Sequence, residues 1–265
     1  MVGEGSNGLD DAPAPLDHEG RPLDCHVCQV QQKAQSVQCG LGHACARDRY
    51  APRIWRFFRQ NPTQAAAWLR HPYFETRAIA AHYANEFVLT PLLNDPDEAV
   101  RRVVAERLPR RALRRLINDP HREVRIRVAQ RLQPSELLEL CHDPDYYVRL
   151  VVARRVPQAF LSRMTRDPDS QVRMAVARRL PVNSLHLLSA DREVDVRRLV
   201  AQRAPDPLLV SLARDAAWEV RWEVATRARE PLAQQLSRDP HEEVRKAALE
   251  RLWKLSEFDG SHEPH

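Results

Sequence analysis

Cys25, Cys28, Cys39 and Cys45 put four of the chain's five cysteines into one 21-residue stretch with the spacing C-x2-C-x10-C-x5-C. A C-x2-C turn can aim two sulfurs at one centre, and Gly40 and Gly42 free the backbone beside Cys39 to wrap closely around it. The first 30 residues hold Asp10, Asp11, Asp17, Glu19 and Asp24 but neither a basic end nor an apolar run, so no export signal is expected and the chain reads as cytoplasmic. Clustered cysteines in that setting point to metal rather than to a disulfide framework. The spacing leaves the metal open. Zinc sites often pair two tight knuckles, and the run from Cys39 to His43 also permits a Cys3His set with Cys45 spare. One tight pair with two irregularly spaced thiolates suits the broader footprint of an iron–sulfur cluster. Lys33, Arg47 and Arg49 could offset the charge of a tetrathiolate centre. Cys141 holds a row position where its neighbours carry Ile117, Thr165 and Ser189, and is expected to pack rather than ligate.

The chain behind the cysteines repeats every 24 residues from Pro52 onward without an insertion: divergent rows start at Pro52 and Thr76, near copies at Val100, Val124, Val148, Val172, Val196 and Val220, and a truncated row at Val244. Each row reads as two helical pieces. Asp-Pro near the row's end (Asp95, Asp119, Asp143, Asp167 and Asp239) is expected to start a helix, with Asp as N-cap and Pro in the first turn. A helix of about three turns follows, with valines and leucine at row positions 1, 5 and 9 on one face and an alanine at position 6 that admits a close neighbour. Pro109, Pro134, Pro157, Pro181 and Pro205 end it. The remainder carries an apolar pair three apart, as in Leu161 and Met164, which predicts a short 3₁₀-like helix. No glycine occurs from 43 to 259, so proline must punctuate where glycine usually does.

Two arginine ladders run through the rows. Position 2 is arginine throughout (Arg53, Arg77, Arg101, Arg125, Arg149, Arg173, Arg197, Arg221, Arg245), inside the apolar arc. Its expected partner is the aspartate at position 20 (Asp95, Asp119, Asp143, Asp167, Asp191, Asp215, Asp239), because an unpaired buried charge costs several kcal/mol. Position 8 is a second ladder, with Arg107, Arg131, Arg155, Arg179, Arg203 and Arg227 at the margin of the arc; it is the candidate for an exposed basic binding stripe, where truncation of Arg155 would change stability little.

These residues resemble the leucine-rich repeat variant proteins, whose 24-residue units of one α-helix and one 3₁₀-helix stack behind a small cluster module. The resemblance covers residues 25 to about 255. It implies an all-α, right-handed superhelical solenoid and a [4Fe–4S] cluster on Cys25, Cys28, Cys39 and Cys45, with His26 and His43 then as neighbours; zinc stays the alternative that the spacing alone allows. The expected organisation is a flexible acidic leader (1–24), a cysteine module (25–51), the solenoid (52–255) and a flexible tail (256–265). Rows 52 and 76 depart from the pattern with Trp55, Phe57, Phe58, Trp68, Tyr73, Phe74, Tyr83 and Phe87, which are expected to seat the cysteine module on the first helices.

Net charge is +5, but residues 52–255 carry 37 basic against 26 acidic side chains while both ends are acidic. The array holds no phosphate-cradling glycine loop, no G-x-S-x-G elbow and no H-E-x-x-H helix, so no enzyme and no small-molecule substrate are expected. Three readings remain: a scaffold binding a protein partner, with a cluster that is structural or senses redox state or iron; an arginine-rich nucleic-acid binder, the second choice; and an electron carrier. No membrane contact is expected, since no apolar run approaches the ~20 residues that span a bilayer.

Overall fold

The structure, a computed structural model, describes residues 12–26, 28 and 37–259. It comprises two compact units, Met1–Leu132 and Gln133–His265. Among the described residues all regular structure is helical, apart from two isolated antiparallel bridges, Leu16 with Pro22 and Gly40 with Ala44.

The first unit carries α1 (Ala51–Gln60), α2 (Phe74–Tyr83), α3 (Glu98–Arg107), the single turn α4 (Arg110–Leu113) and α5 (Arg122–Arg131), interleaved with 3₁₀ segments such as Pro62–Trp68 and Thr90–Asn94. The second carries α6 (Tyr146–Arg155), α7 (Ser170–Arg179), α8 (Val194–Arg203), α9 (Asp206–Leu212), α10 (Trp218–Ala225), α11 (Glu230–Leu236) and α12 (Glu242–Asp259). Its 3₁₀ segments are Pro134–His142, Gln158–Met164 and Val182–Leu188. Each unit is thus a stretch of repeat solenoid in which an α-helix alternates with a tighter helical piece.

The apolar ladders form the cores. Val100, Val104 and Val124 are buried in the first unit, as are Val148, Val172, Val196 and Val220 with Leu161, Leu185 and Leu209 in the second. Each such side chain contributes roughly 1.5–3 kcal/mol by leaving water. Alanine at position 6 leaves room for the neighbouring helix: Ala105 and Ala177 are fully buried. Helix ends fall where proline requires, since α3, α7 and α8 stop at Arg107, Arg179 and Arg203, two residues before Pro109, Pro181 and Pro205.

Two expectations about helix ends change. The Asp of Asp-Pro is not the N-cap. The cap is the residue after the proline: Asp97 accepts the N–H of Ala99, Asp145 those of Tyr147 and Val148, and Asp169 those of Gln171 and Val172. Asp95 instead forms a tight turn, taking the N–H of Asp97 at 3.0 Å, while its carboxylate is held by an arginine. The second pieces of rows 196 and 220 are α-helical rather than 3₁₀. Both open on an acidic residue and a proline, Asp206-Pro207 and Glu230-Pro231, which favours an α first turn by charge and preset φ.

The ends also extend further than expected. Residues 12–24 are folded onto the first row: the Asp17 carboxylate accepts N–H groups of Glu19 and Arg21, and Pro13 offers its carbonyl to Arg53. Residues 1–11 of the expected leader and 260–265 of the expected tail lie outside the described residues, whereas 256–259 continue α12.

Candidate metal centre

Two elements position the thiols. A turn closes on the first pair, with the N–H of Cys28 donating to the carbonyl of Cys25 at 3.2 Å. The second pair flanks a tight hairpin: Gly40 and Ala44 exchange both backbone hydrogen bonds at 2.9 Å, which leaves Cys39 and Cys45 as the next positions outward on its two arms. Gly42 sits in that hairpin at φ +72°, a conformation that favours glycine, whereas Gly40 needs no such freedom. Residues 29–36, which join the two pairs and include Lys33, lie outside the described residues.

All four thiols are free and half-buried. Burial raises the Cys39 thiol above its ordinary value, and negative charge at Cys28 and Cys25 raises it further. Burial pushes Cys45 up to about 11, although the N–H groups of Arg47 and Asp48 point at its sulfur and work in the opposite direction. With burial and neighbouring negative charge opposing ionisation of Cys39 and Cys45, and amide donors aimed at the Cys45 sulfur, the site fits a metal centre, whose positive charge would offset the repulsion and hold the thiols deprotonated. Among the described residues, however, no three His, Cys, Asp or Glu side chains are already gathered into a closed metal shell. Cys141 is buried elsewhere, with its thiol on the carbonyl of Leu137, as packing requires.

The module is seated by polar anchors. The Asn61 side chain, just beyond α1, takes the N–H of Gln38 at 2.8 Å and donates to its carbonyl at 2.7 Å, fixing the backbone next to Cys39. The N–H of Cys45 donates to the carbonyl of Arg53, Arg56 donates to that of His43, and the Thr76 hydroxyl donates to that of Ala46. Asp48 meets Arg53 at 3.0 Å; the two are 0% and 4% exposed. Among the aromatic side chains of the first rows, Phe57 and Phe58 meet Trp68, Trp55 meets Tyr83, and Phe87 is exposed. Tyr73 reaches the module: its hydroxyl donates to Glu75 at 2.7 Å and lies 3.2 Å from the carbonyl of Arg49, and its ring stacks on His18.

Asn61 and Asp48 were not singled out by the sequence. A signal existed for Asp48: row 52 carries His71 where the ladder aspartate belongs, so Arg53 needed a carboxylate from elsewhere.

The position-2 ladder is paired as expected. In the first unit Arg77 holds Asp95 and Arg101 holds Asp119; in the second Arg149, Arg173, Arg197 and Arg221 hold Asp167, Asp191, Asp215 and Asp239. Each pair is a two-pronged fork, as in Arg149, whose Nε and Nη2 reach the Asp167 carboxylate at 2.7 and 3.1 Å. The remaining nitrogen, Nη1, donates to the carbonyls of Asp143 and Pro144 at the preceding row's end.

The position-8 ladder is not an exposed stripe. Arg107, Arg131, Arg155, Arg179, Arg203 and Arg227 are half-buried. Arg107 donates to the carbonyl of Ala84, Arg131 to those of Ala105 and Leu108, and Arg179 to those of Ala153 and Val156. Arg203 and Arg227 do the same at Ala177 and Ala201. These are the acceptors that an α-helix leaves unpaired at its C-terminus, and a cation there also complements the helix dipole.

Comparison with known proteins agrees with both modules. Residues 15–67 match the family described as LRV protein FeS4 cluster. A solved structure described as a leucine-rich repeat variant with a novel repetitive protein structural motif superposes with a TM-score of 0.80 at 43% identity, covering 87% of this chain and 99% of that one. A Rhodobacter capsulatus protein, "Uncharacterized 27.7 kDa protein in nifB 3'region", is 50% identical over 101 residues, 38% of this chain and 41% of its own length. The match thus spans about two fifths of that relative. Among the described residues no helix is long and apolar enough to cross a membrane.

Proposed function

Because the chain belongs to the leucine-rich repeat variant family and carries that family's iron–sulfur module, we propose that it is a non-enzymatic scaffold: Cys25, Cys28, Cys39 and Cys45 hold a [4Fe–4S] cluster that clamps the solenoid's cap, and the rows bind a protein partner. The observation that carries this reading is the buried pair of Asp48 and Arg53, through which the cysteine module completes the first rung of the repeat's ladder. A bound cluster would supply a metal-dependent crosslink and one-electron chemistry. Cys39 and Cys45 are presented as ligands by the hairpin, Asn61 holds its entry strand, and Asp48 ties its exit strand to α1.

Nucleic acid stays the second partner class. It loses the position-8 stripe but keeps the exposed Arg110, Arg111 and Arg115 on one short segment of the first unit. Protein purified without oxygen is expected to be brown with about four irons per chain and matching sulfide. One zinc without sulfide would overturn the cluster. Capture of a protein from native extract that is lost on iron removal supports the scaffold; salt-dependent retention of nucleic acid alone would favour the second class.

A further inference from the structure

The last row ends differently from those before it. In the second unit, position 6 is a fully buried alanine in four rows, Ala153, Ala177, Ala201 and Ala225. In the row beginning at Val244 it is Leu249, 56% exposed, and one turn on stands Trp253, 61% exposed. Their helix, α12, runs 18 residues where the unit's other long helices stop at 8 to 10. A solenoid's terminal row normally turns a polar face outward. This one turns out two large apolar side chains.

The terminal rung also lacks a carboxylate among the described residues; its own position 20, Glu263, lies outside them. Arg245 Nη1 donates to the carbonyls of Asp239 and Pro240 at 2.8 and 2.9 Å, as Nη1 does in the unit's earlier rows. Its Nε and Nη2, the prongs that grip an aspartate in Arg149, Arg173, Arg197 and Arg221, have no carboxylate among the described residues. Arg245, Leu249, Trp253 and the exposed Glu257 are spaced four apart and form one ridge along α12. This ridge reads cation, apolar, apolar, anion. Laid antiparallel against a copy of itself about a two-fold axis near residue 251, it sets Leu249 against the other copy's Trp253 and the open fork of Arg245 against the other copy's Glu257.

We propose that α12 is a self-association surface, and that a second copy of this chain covers it in an antiparallel, two-fold dimer. The charge order selects the antiparallel arrangement, because parallel alignment would set Arg245 against Arg245. Two crossing helices of this length bury less than the ~1,200 Å² typical of stable interfaces, so the dimer is a weak, concentration-dependent one.

The test is the mass of the full chain by light scattering, from about 1 µM to about 1 mM, with the dissociation constant read from the curve. The expected result is a monomer–dimer transition that moves to higher concentration with added NaCl. Leu249→Glu should remove it, and Glu257→Arg, which sets two cations face to face, should weaken it at least about tenfold. Both positions are exposed, so the thermal melts should not move, and Leu187→Glu, at an exposed leucine elsewhere in the unit, should leave the dimer intact. A monomer at every concentration overturns the proposal, including the case in which Trp253 is quencher-protected because residues 260–265 cover it. So does a dimer indifferent to both α12 variants, which would place the contact on another surface.

Discussion

Asp48 and Arg53 form a buried ion pair at 3.0 Å that stands where the repeat's own rung would be. Elsewhere the arginine's partner lies 18 residues downstream in the same row; here it comes from the loop that follows Cys45. The Asp48 carboxylate also takes the N–H of Tyr50, so one side chain links the cysteine hairpin, the start of α1 and the ladder. Asp48→Ala should cost ~3–5 kcal/mol, because it strands a buried guanidinium. Urea melts with and without bound iron measure this, and the variant should also lose iron faster than the parent protein. Unchanged stability would mean that the pair is dispensable to the cap.

The two arginine ladders should differ in what their loss costs. Arg149→Ala removes a fork 2.7 Å from a buried carboxylate and should destabilise by ~3–5 kcal/mol. Arg179→Ala removes charge-assisted bonds to two helix-end carbonyls that water can then reach, and should cost ~1–2 kcal/mol. Equal losses would show that the cap and the rung are energetically alike.

Acid should loosen the array in a defined range. Burial raises the Asp239 carboxyl, but the Arg221 hydrogen bond and the N–H of His241 outweigh it and hold the group below its ordinary 3.8; Asp215 behaves likewise with Arg197 and Ala217. Depressed carboxyls favour the folded state fully above about pH 4, and that contribution disappears as pH falls through their folded values. Circular dichroism melts should therefore be insensitive to these groups at neutral pH and drop below pH 4; Asp239→Asn should lower stability at pH 7 and flatten the acid limb.

His71 gives the first unit a different pH response. Burial, with charge at His18 next in weight, lowers it from 6.5 to about 4, and its Nδ1 accepts the N–H of Tyr73. The unfolded chain protonates this residue at higher pH than the folded one, so stability is full above about pH 6.5 and declines towards pH 4. Hydrogen exchange at pH 7 and pH 5 should show loss of protection around residues 68–77 in the parent protein and not in His71→Asn.

Metal removal should act on the cap first. A segment as short as residues 25–51 buries too little to fold by apolar contact alone. Iron chelation should expose amides there while α7 and α8 keep theirs. Cys141→Ser should leave iron content unchanged, and Cys39→Ser should abolish it. A cap that keeps its protection without iron would favour a redox role over a clamp.

What repeats in this chain was legible without coordinates. A row of 24 residues states its core, its punctuation and the Arg–Asp rung over and over, because each row meets a near copy of itself and the same contact must be satisfied each time. The four cysteines were legible for the opposite reason: their chemistry is rare and their clustering is local. The contacts that only the tertiary structure decided are those with no pattern to repeat or no side-chain partner to name. Position 8 looked like a basic stripe because its acceptors are backbone carbonyls, which every residue carries and no residue type advertises. Asn61 reads the backbone of Gln38, and Asp48 substitutes for an aspartate that row 52 lacks; each occurs once, at the end of the array, where the neighbour is not another row. Periodicity specifies the contacts between like units, and the fold alone specifies how the first unit is closed.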